Sequence, residues 1–285
     1  MILLDFSGTI FASVYVDVAK NNDTSKDFLR HLLITQIRTY NKKFKDEYGD
    51  LVICADAKGT YWRRDIFPFY KANRKKAREL SNIDWKQVFE HIGDIISEIK
   101  TYLPYKFIQI DNLEADDIIA TLALNPPESD DLFEGNEDVL IISNDHDFRQ
   151  LHDVDYIKQY FPQKKRFERE AYANLYLFEH ICKGDPGDGI PNIKSDPDTF
   201  VNEDKRQKAV TKTFIKSCYT NGVPDIHRAR FEKNKKLIDL RQLDESYKEL
   251  IINTYNNTTI PKKSKLMFYL GSHKLQKNLD CINDF

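Results

Sequence analysis

The chain has 285 residues, of which 41% are hydrophobic and 31% charged, and it includes 18 Phe and 15 Tyr; that much apolar surface supports a real core and excludes global disorder. A net charge of −2 argues against a general nucleic-acid binder, and no apolar run approaches the roughly 20 residues of a membrane span. The four cysteines show no CxxC spacing, and "MILLDFSGTIFAS" meets an aspartate at position five, so we expect a reduced, cytoplasmic protein without a leader or membrane partner.

In chain order, "MILLDF", "LVICAD", "KFIQID" and "DVLIIS" are short apolar runs with β-branched content and predict four strands. Between them, helical patterns cover 25–48, 61–80, 84–103 ahead of Pro104, and 114–124 ahead of Pro126. Strands alternating with helices imply crossover units and a mostly parallel, buried sheet. Residues 125–138, "NPPESDDLFEGNED", are Pro-rich and acidic and predict a mobile loop, and "DYIKQYFPQKKRFE" adds two edge strands. Beyond 168 the strand signals stop, and helical patterns follow at 169–183, 204–219, 225–240, 245–255 and 262–279. We therefore expect an α/β domain over 1–168 and a smaller helical domain over 169–285. Residues 1–168 hold 23 Lys/Arg against 29 Asp/Glu and residues 169–285 hold 20 against 16, so an acidic site in the first part and a polyanion-facing surface in the second are expected.

The acids fall at strand ends. Asp5 and Asp56 close the first two strands, Asp145 and Asp147 follow the last, and Glu114, Asp116 and Asp117 in "LEADDIIA" open the helix after the third. Any one of them could simply cap a helix. Open parallel sheets, however, bind ligands beyond the carboxyl ends of their strands, where all these side chains converge. Such a cluster needs counter-charge, and oxygen ligands without paired Cys or His point to Mg²⁺, with Mn²⁺ as a substitute, rather than zinc. Asp185 and Asp188 in "KGDPGDGIPN" form a turn that would complete a second site, and two ions roughly 4 Å apart are a common means of phosphodiester hydrolysis. No GxGxxG, GxxxxGK[ST] or GxSxG is present, which removes the nucleotide-cofactor and serine-hydrolase readings.

"KGTYWRRDIFPFYKANRKKAREL" (58–80) packs eight Lys/Arg and five aromatics beside Asp56. On a helix Lys71 and Arg78 share one face, with Arg74 and Lys75 next to them. The bland reading is a solvated charged helix with docked aromatics. The functional one is a helix over the acidic edge whose cations grip a phosphate backbone while Tyr61, Trp62, Phe67, Phe69 or Tyr70 stack bases.

"LLDFS", "ICADA", "YWRRD", "YKANRKKARE", "LEADDIIA", "ISNDHDFRQLH" and "KGDPGDG", in that order, resemble the flap endonuclease / 5′-nuclease superfamily along nearly the whole chain. The resemblance implies a PIN-like fold with a helical arch at about 58–80 and a helix–three-turn–helix element in the C-terminal part. It implies two divalent ions, the first among Asp5, Asp56, Glu114, Asp116 and Asp145, the second held by Asp147, Asp185 and Asp188, with Asp117 supporting the cluster. Lys71 and Arg78 match arch residues that contact the scissile phosphate, and Arg63, Arg64, Arg74, Lys75 and Lys194 are expected to meet nucleic acid. Implied substrates are RNA–DNA hybrids (RNase H activity), nicked or gapped duplexes and 5′ flaps, with removal of RNA primers in phage-type replication as the task. A monomer is expected, with a single-strand DNA-binding protein as a further partner. Gly189 stands where relatives have Asn, and their second Gly-rich turn is missing, so a monovalent-cation site there is not implied.

Two other readings compete. A non-catalytic module for branched nucleic acid would have no reason to keep carboxylates that repel phosphate. A PIN-like endoribonuclease would lack the arch and the long helical extension.

Overall fold

The computed structural model describes residues 1–285 apart from 22, 60, 74–82 and 127–137, and apart from the side chains of 10–13, 15 and 19. Arg74, Lys75 and Arg78 and most of the 125–138 loop therefore lie outside the described residues.

Six strands form one sheet in the order β3-β2-β1-β4-β5-β6. They are β1 (Ile2–Asp5), β2 (Leu51–Cys54), β3 (Lys106–Ile108), β4 (Val139–Ile142), β5 (Ile157–Phe161) and β6 (Arg166–Glu168). β1 to β5 pair in parallel, and β6 returns antiparallel along β5. β1, β2 and β4 are buried at every position, as their unbroken aliphatic runs require of strands covered on both faces. The chain runs outward from β1 through β2 to β3, then crosses back to β4 on the other side. The crevice between the ends of β1 and β4 is thus the switch point where such sheets bind ligands.

Helices α1 (Phe11–Asn21), after a π-helical turn at Phe6–Ile10, and α2 (Lys26–Tyr48) join β1 to β2. α3 (Trp62–Ile66) and α4 (Trp85–Tyr102) precede β3, and α5 (Ala115–Leu124) precedes β4. α6 (Ala173–Lys183), α7 (Lys212–Asn221), α8 (Asp225–Ile238), α9 (Glu245–Asn257), α10 (Lys263–Ser272) and the single turn α11 (Gln276–Leu279) complete the chain. Ile2, Leu4, Ile53 and Ile142 bury one sheet face under α2, α4 and α10, while Leu3, Val52 and Ile141 bury the other under α5 and α9. Each such aliphatic side chain contributes roughly 1.5–3 kcal/mol by leaving water. α9 and α10, although C-terminal, thus share the core of the sheet, whereas Cys182, Ile193 and Ile215 form a small core of their own.

Ser25 and Asp84 cap α2 and α4 through bonds from Phe28 and Gln87 amides, which fixes two expected starts within a residue. Over its described part, residues 61–73, the helix expected over 61–80 is corrected: α3 stops at Ile66 because Phe67, preceding Pro68, is held extended at φ −140° and ψ 94°, and the rest of the expected arch lies outside the described residues. Turns follow to Asn73, with Lys71 left-handed at φ 56°. The pattern at 204–219 begins only at Lys212, where the Thr211 hydroxyl accepts from the Phe214 amide. The one at 262–279 breaks where Lys274 takes φ 54°. The helical segment between β1 and residue 25 was not expected, since its apolar residues continue the strand-like run.

Candidate active site

The expected acids do converge. Asp5, Asp56, Glu114, Asp116, Asp145, Asp147, Asp185 and Asp188 all line one cavity of about 1280 Å³ at the carboxyl edge of the sheet. Asp117 does not line it.

Local chemistry sets each carboxylate. Asp5 accepts from Ser143 Oγ at 2.6 Å and from the Gly8 amide at 2.7 Å. A Cβ on Gly8 would stand 2.2 Å from Asp5 Oδ2, so only glycine lets the chain pass this close. Ser143 in turn accepts from the Asp145 amide at 3.0 Å, and Asp145 Oδ1 accepts from the Asp147 amide at 2.9 Å. The buried Gln159 of β5 donates to the carbonyls of Ser143 and Asp145, fixing the turn from behind. Asp56 accepts from the Ala115 amide at 2.8 Å and so sits at the positive end of α5. Asp185 Oδ1 accepts from the Gly187 and Asp188 amides. Gly184, at φ 68°, reverses the chain after α6, and a side chain there would collide with the Ile190 carbonyl at 2.3 Å.

One side of the cluster is neutralised by the protein itself. Arg63 is 2% exposed and forks onto Asp117, with Nη1 to Oδ2 at 2.9 Å and Nη2 to Oδ1 at 2.8 Å. It also reaches Glu114 Oε2 at 2.9 Å, Asp116 Oδ2 at 3.5 Å and the Leu237 carbonyl at the end of α8. Arg63 was expected to meet nucleic acid; buried in this way it cannot, and it serves as an internal counter-ion. Asp117 is likewise engaged by Arg63, the Trp62 indole and the Glu114 amide, which suits support of the cluster. Lys71 Nζ contacts Glu114 and lies 3.7 Å from Asp188 Oδ2. The Tyr70 hydroxyl lies 2.7 Å from Glu114 and 2.8 Å from Asp188, and as a phenol it donates to one of them at a time. Part of the counter-charge that the cluster was expected to need from bound cations is therefore built in: Arg63 and Lys71 balance the Glu114–Asp116–Asp117 side.

The opposite side carries the electrostatic load. Burial pushes Asp5 up to about 7, reinforced by Asp56 and Asp145 and opposed by the bonds from Ser143 and Gly8. Burial and then Asp145, Asp185 and Asp188 hold Asp147 well above the carboxylate range, and burial with Asp188 raises Asp185. Asp116 is raised by burial despite Arg63. His180, on the last turn of α6, joins this side without having been expected: its Nδ1 lies 3.3 Å from Asp147 Oδ1 and its Nε2 3.8 Å from Asp185 Oδ2. Burial keeps the ring more acidic than an ordinary histidine. Ligand atoms of Asp147, His180 and Asp185 all lie within 4.8 Å of one another, and Nδ1 is buried with no hydrogen-bond partner. Three atoms sharing one ion at about 2.0–2.2 Å each stand about 3.3–3.8 Å apart, so this donor set would hold a divalent cation once its ligand atoms close in by up to about an ångström. Its only sequence signal was a histidine on the helix leading into "GD".

Trp62, Phe67 and Tyr70 are core residues, which removes them as base-stacking groups. Arg64 and Lys194 do not line the cavity; Lys194 lies over the Phe214 ring. Lys58, Lys86 and the partly exposed Phe89 do line it, extending the cavity from the acids along α4. His146 tilts against Phe161 with ring centroids 4.9 Å apart and makes no part of the carboxylate cluster.

A family model described as "5'-3' exonuclease, N-terminal resolvase-like domain" matches residues 1–176, and one described as "T4 RNase H, C terminal" matches residues 171–285. The chain is 33% identical to ribonuclease H of Enterobacteria phage T4, over 99% of this chain and 95% of that one. It is 25% identical to a 5′-3′ exonuclease of Bacillus subtilis, over 68% and 65%. Among solved structures, a bacteriophage T5 flap endonuclease in a pseudo-enzyme–product complex with DNA and metal ions superposes with a TM-score of 0.61 at 16% identity, covering 90% of this chain and 99% of that one. The T5 5′-exonuclease with bound zinc gives 0.60 at the same identity, over 90% and 98%. At that identity these two speak for the fold. The mostly parallel sheet flanked by helices, with a helical C-terminal region, is what the resemblance implied, the two family models together span the chain, and the chain belongs to the 5′-3′ exonuclease family.

Proposed function

We propose that the protein is a Mg²⁺-dependent, structure-selective 5′ nuclease acting on RNA–DNA hybrids, 5′ flaps and nicked or gapped duplexes, with removal of RNA primers in phage-type replication as its task. The observation that carries this is the gathering of eight carboxylates at the sheet's switch point, where, among the described residues, Arg63 and Lys71 supply counter-charge on the Glu114 side. When bound, two divalent ions supply a nucleophilic water at neutral pH and stabilise charge on the scissile phosphate.

The chain's own residues define the rest. Asp5, Asp56, Asp116 and Asp145, with Glu114 beside them, are suited to the first ion, and Asp147, Asp185 and Asp188 to the second. Lys71, lining the cavity and balanced by Glu114 and Asp188, is placed to exchange those partners for a phosphate oxygen and stabilise the charge that builds there. Arg78, Arg74 and Lys75 are proposed to continue that grip along the strand, and Arg64 and Lys194 to meet duplex outside the cavity. Lys58 and Lys86 offer cations along α4 for the backbone of a strand leaving the acids. Tyr70 and Arg63 orient Glu114. A monomer acting with a single-strand DNA-binding protein completes the proposal.

Product mapping on matched hybrid, nicked, gapped and flapped substrates, with Mg²⁺ and with chelator, tests it. Chelator-sensitive release of products bearing 5′-phosphates is expected; cleavage unaffected by chelator would reject the reading.

A further inference from the structure

We infer that His180 is a nitrogen ligand of the second cation position, making it an Asp147–His180–Asp185 site that takes a borderline transition ion of the zinc class more tightly than Mg²⁺.

The inference deepens the metal-dependent reading above and rests on it. The first position is oxygen-only, a donor set that suits a hard cation. The second presents an imidazole between two carboxylates from different elements, Asp147 after β4 and Asp185 after α6. Imidazole donors favour zinc, cobalt and nickel over magnesium, which keeps water and carboxylate oxygens.

Three features set the ring apart from an ordinary surface histidine. Its Nδ1 is buried without a hydrogen bond, although Asp147 Oδ1 is only 3.3 Å away, so the pair is close without being a directed bond. A buried polar atom left without a partner is costly, and a metal–nitrogen bond removes that cost. Secondly, the ring is held from its own helix. Tyr176, one turn earlier, packs edge-on at 5.9 Å and is itself anchored by its hydroxyl on the His146 carbonyl at 3.0 Å. Thirdly, the left-handed Gly184 turns the loop so that Asp185 returns over the end of α6, where His180 sits. With one nitrogen on an ion, the other ring N–H remains available to the second carboxylate, a common arrangement for metal-bound histidine.

The test uses the full chain labelled with ¹⁵N-histidine and zinc alone as the probe. His180 ring signals are assigned by their loss in His180→Gln, and two-bond ¹H–¹⁵N spectra are recorded as zinc is added. Calorimetry follows zinc and Mg²⁺ binding to both proteins. The expected result is that one His180 nitrogen moves to the metal-bound range on zinc addition, and that His180→Gln weakens zinc by about 10-fold or more while Mg²⁺ binding changes by less than about 3-fold. Zinc bound with the His180 nitrogens of the unmodified protein unmoved would overturn the inference. Equal zinc affinity in a folded His180→Gln would also overturn it. In either case intact Mg²⁺-dependent cleavage would leave the nuclease reading standing, whereas absence of any divalent-ion binding would remove both.

Discussion

Arg63 and Asp117 meet as a buried fork, two parallel N–H···O bonds of 2.9 and 2.8 Å, beneath the floor of the acidic cavity. The pair places a fixed positive charge behind Glu114 and Asp116 and ties the N-terminus of α5 to the end of α8 through the Leu237 carbonyl. Removing the guanidinium would leave buried carboxylates uncompensated. Arg63→Met is therefore expected to cost about 3–5 kcal/mol of stability. Thermal or urea unfolding measures it. Unchanged stability with weakened nucleic-acid binding would instead return Arg63 to the surface role that the sequence suggested.

Gly8→Ala is a steric test of how Asp5 is held. The added methyl would meet Asp5 Oδ2 and force the carboxylate or the π-helical turn aside. A loss of about 1–3 kcal/mol in stability is expected. Cleavage in Mg²⁺ should fall by about 100-fold, since a misplacement of an ångström at a reacting centre has that effect. Wild-type turnover and stability would show that the turn yields freely.

The buried acids also predict a pH signature. Asp5 titrates near 7 in the metal-free protein against an ordinary value of 3.8, and Asp147 and Asp185 shift in the same direction. Between these values the folded chain holds more protons on Asp5 than the unfolded one, so its contribution to stability falls as pH rises from about 4 to about 7, and the upward shifts of Asp147 and Asp185 act with the same sign. Cation binding needs the carboxylates ionised and releases those protons. The rise in melting temperature on adding Mg²⁺ should therefore be larger at about pH 8 than at about pH 5.5. A rise that is equal at both, or larger in acid, would contradict the shifts.

Lys71→Ala separates chemistry from affinity. Its ammonium balances Glu114 and Asp188 in the free protein and is proposed to act on the phosphate during reaction. Single-turnover cleavage should slow by about 100- to 1000-fold, with a far smaller change in substrate affinity. An effect confined to affinity would assign Lys71 to binding alone.

The sheet and the acidic edge were legible because both obey one-dimensional rules. Buried strands show as aliphatic runs, and an aspartate closing such a run must lie at the sheet's carboxyl edge. Asp5, Asp56 and Asp145 follow from that logic. Arg63 did not, because an exposed phosphate contact and a buried fork onto Asp117 leave the same letters in "YWRRD"; only the three-dimensional pairing of α3 with α5 decides between them. Pro68 carried the information that ended α3, but the basic, aromatic run around it outweighed the signal. His180 was missed since zinc signatures depend on paired Cys or His, and here the other donors are carboxylates distant in sequence.

The most direct test is single-turnover cleavage of a 5′-labelled RNA–DNA hybrid by Asp147→Asn and Asp56→Asn in Mg²⁺, with circular dichroism recorded alongside. Loss of cleavage with the fold intact is the predicted result, because each substitution removes a carboxylate that lines the common cavity. Wild-type turnover by both variants would contradict the claim that these acids hold the catalytic ions.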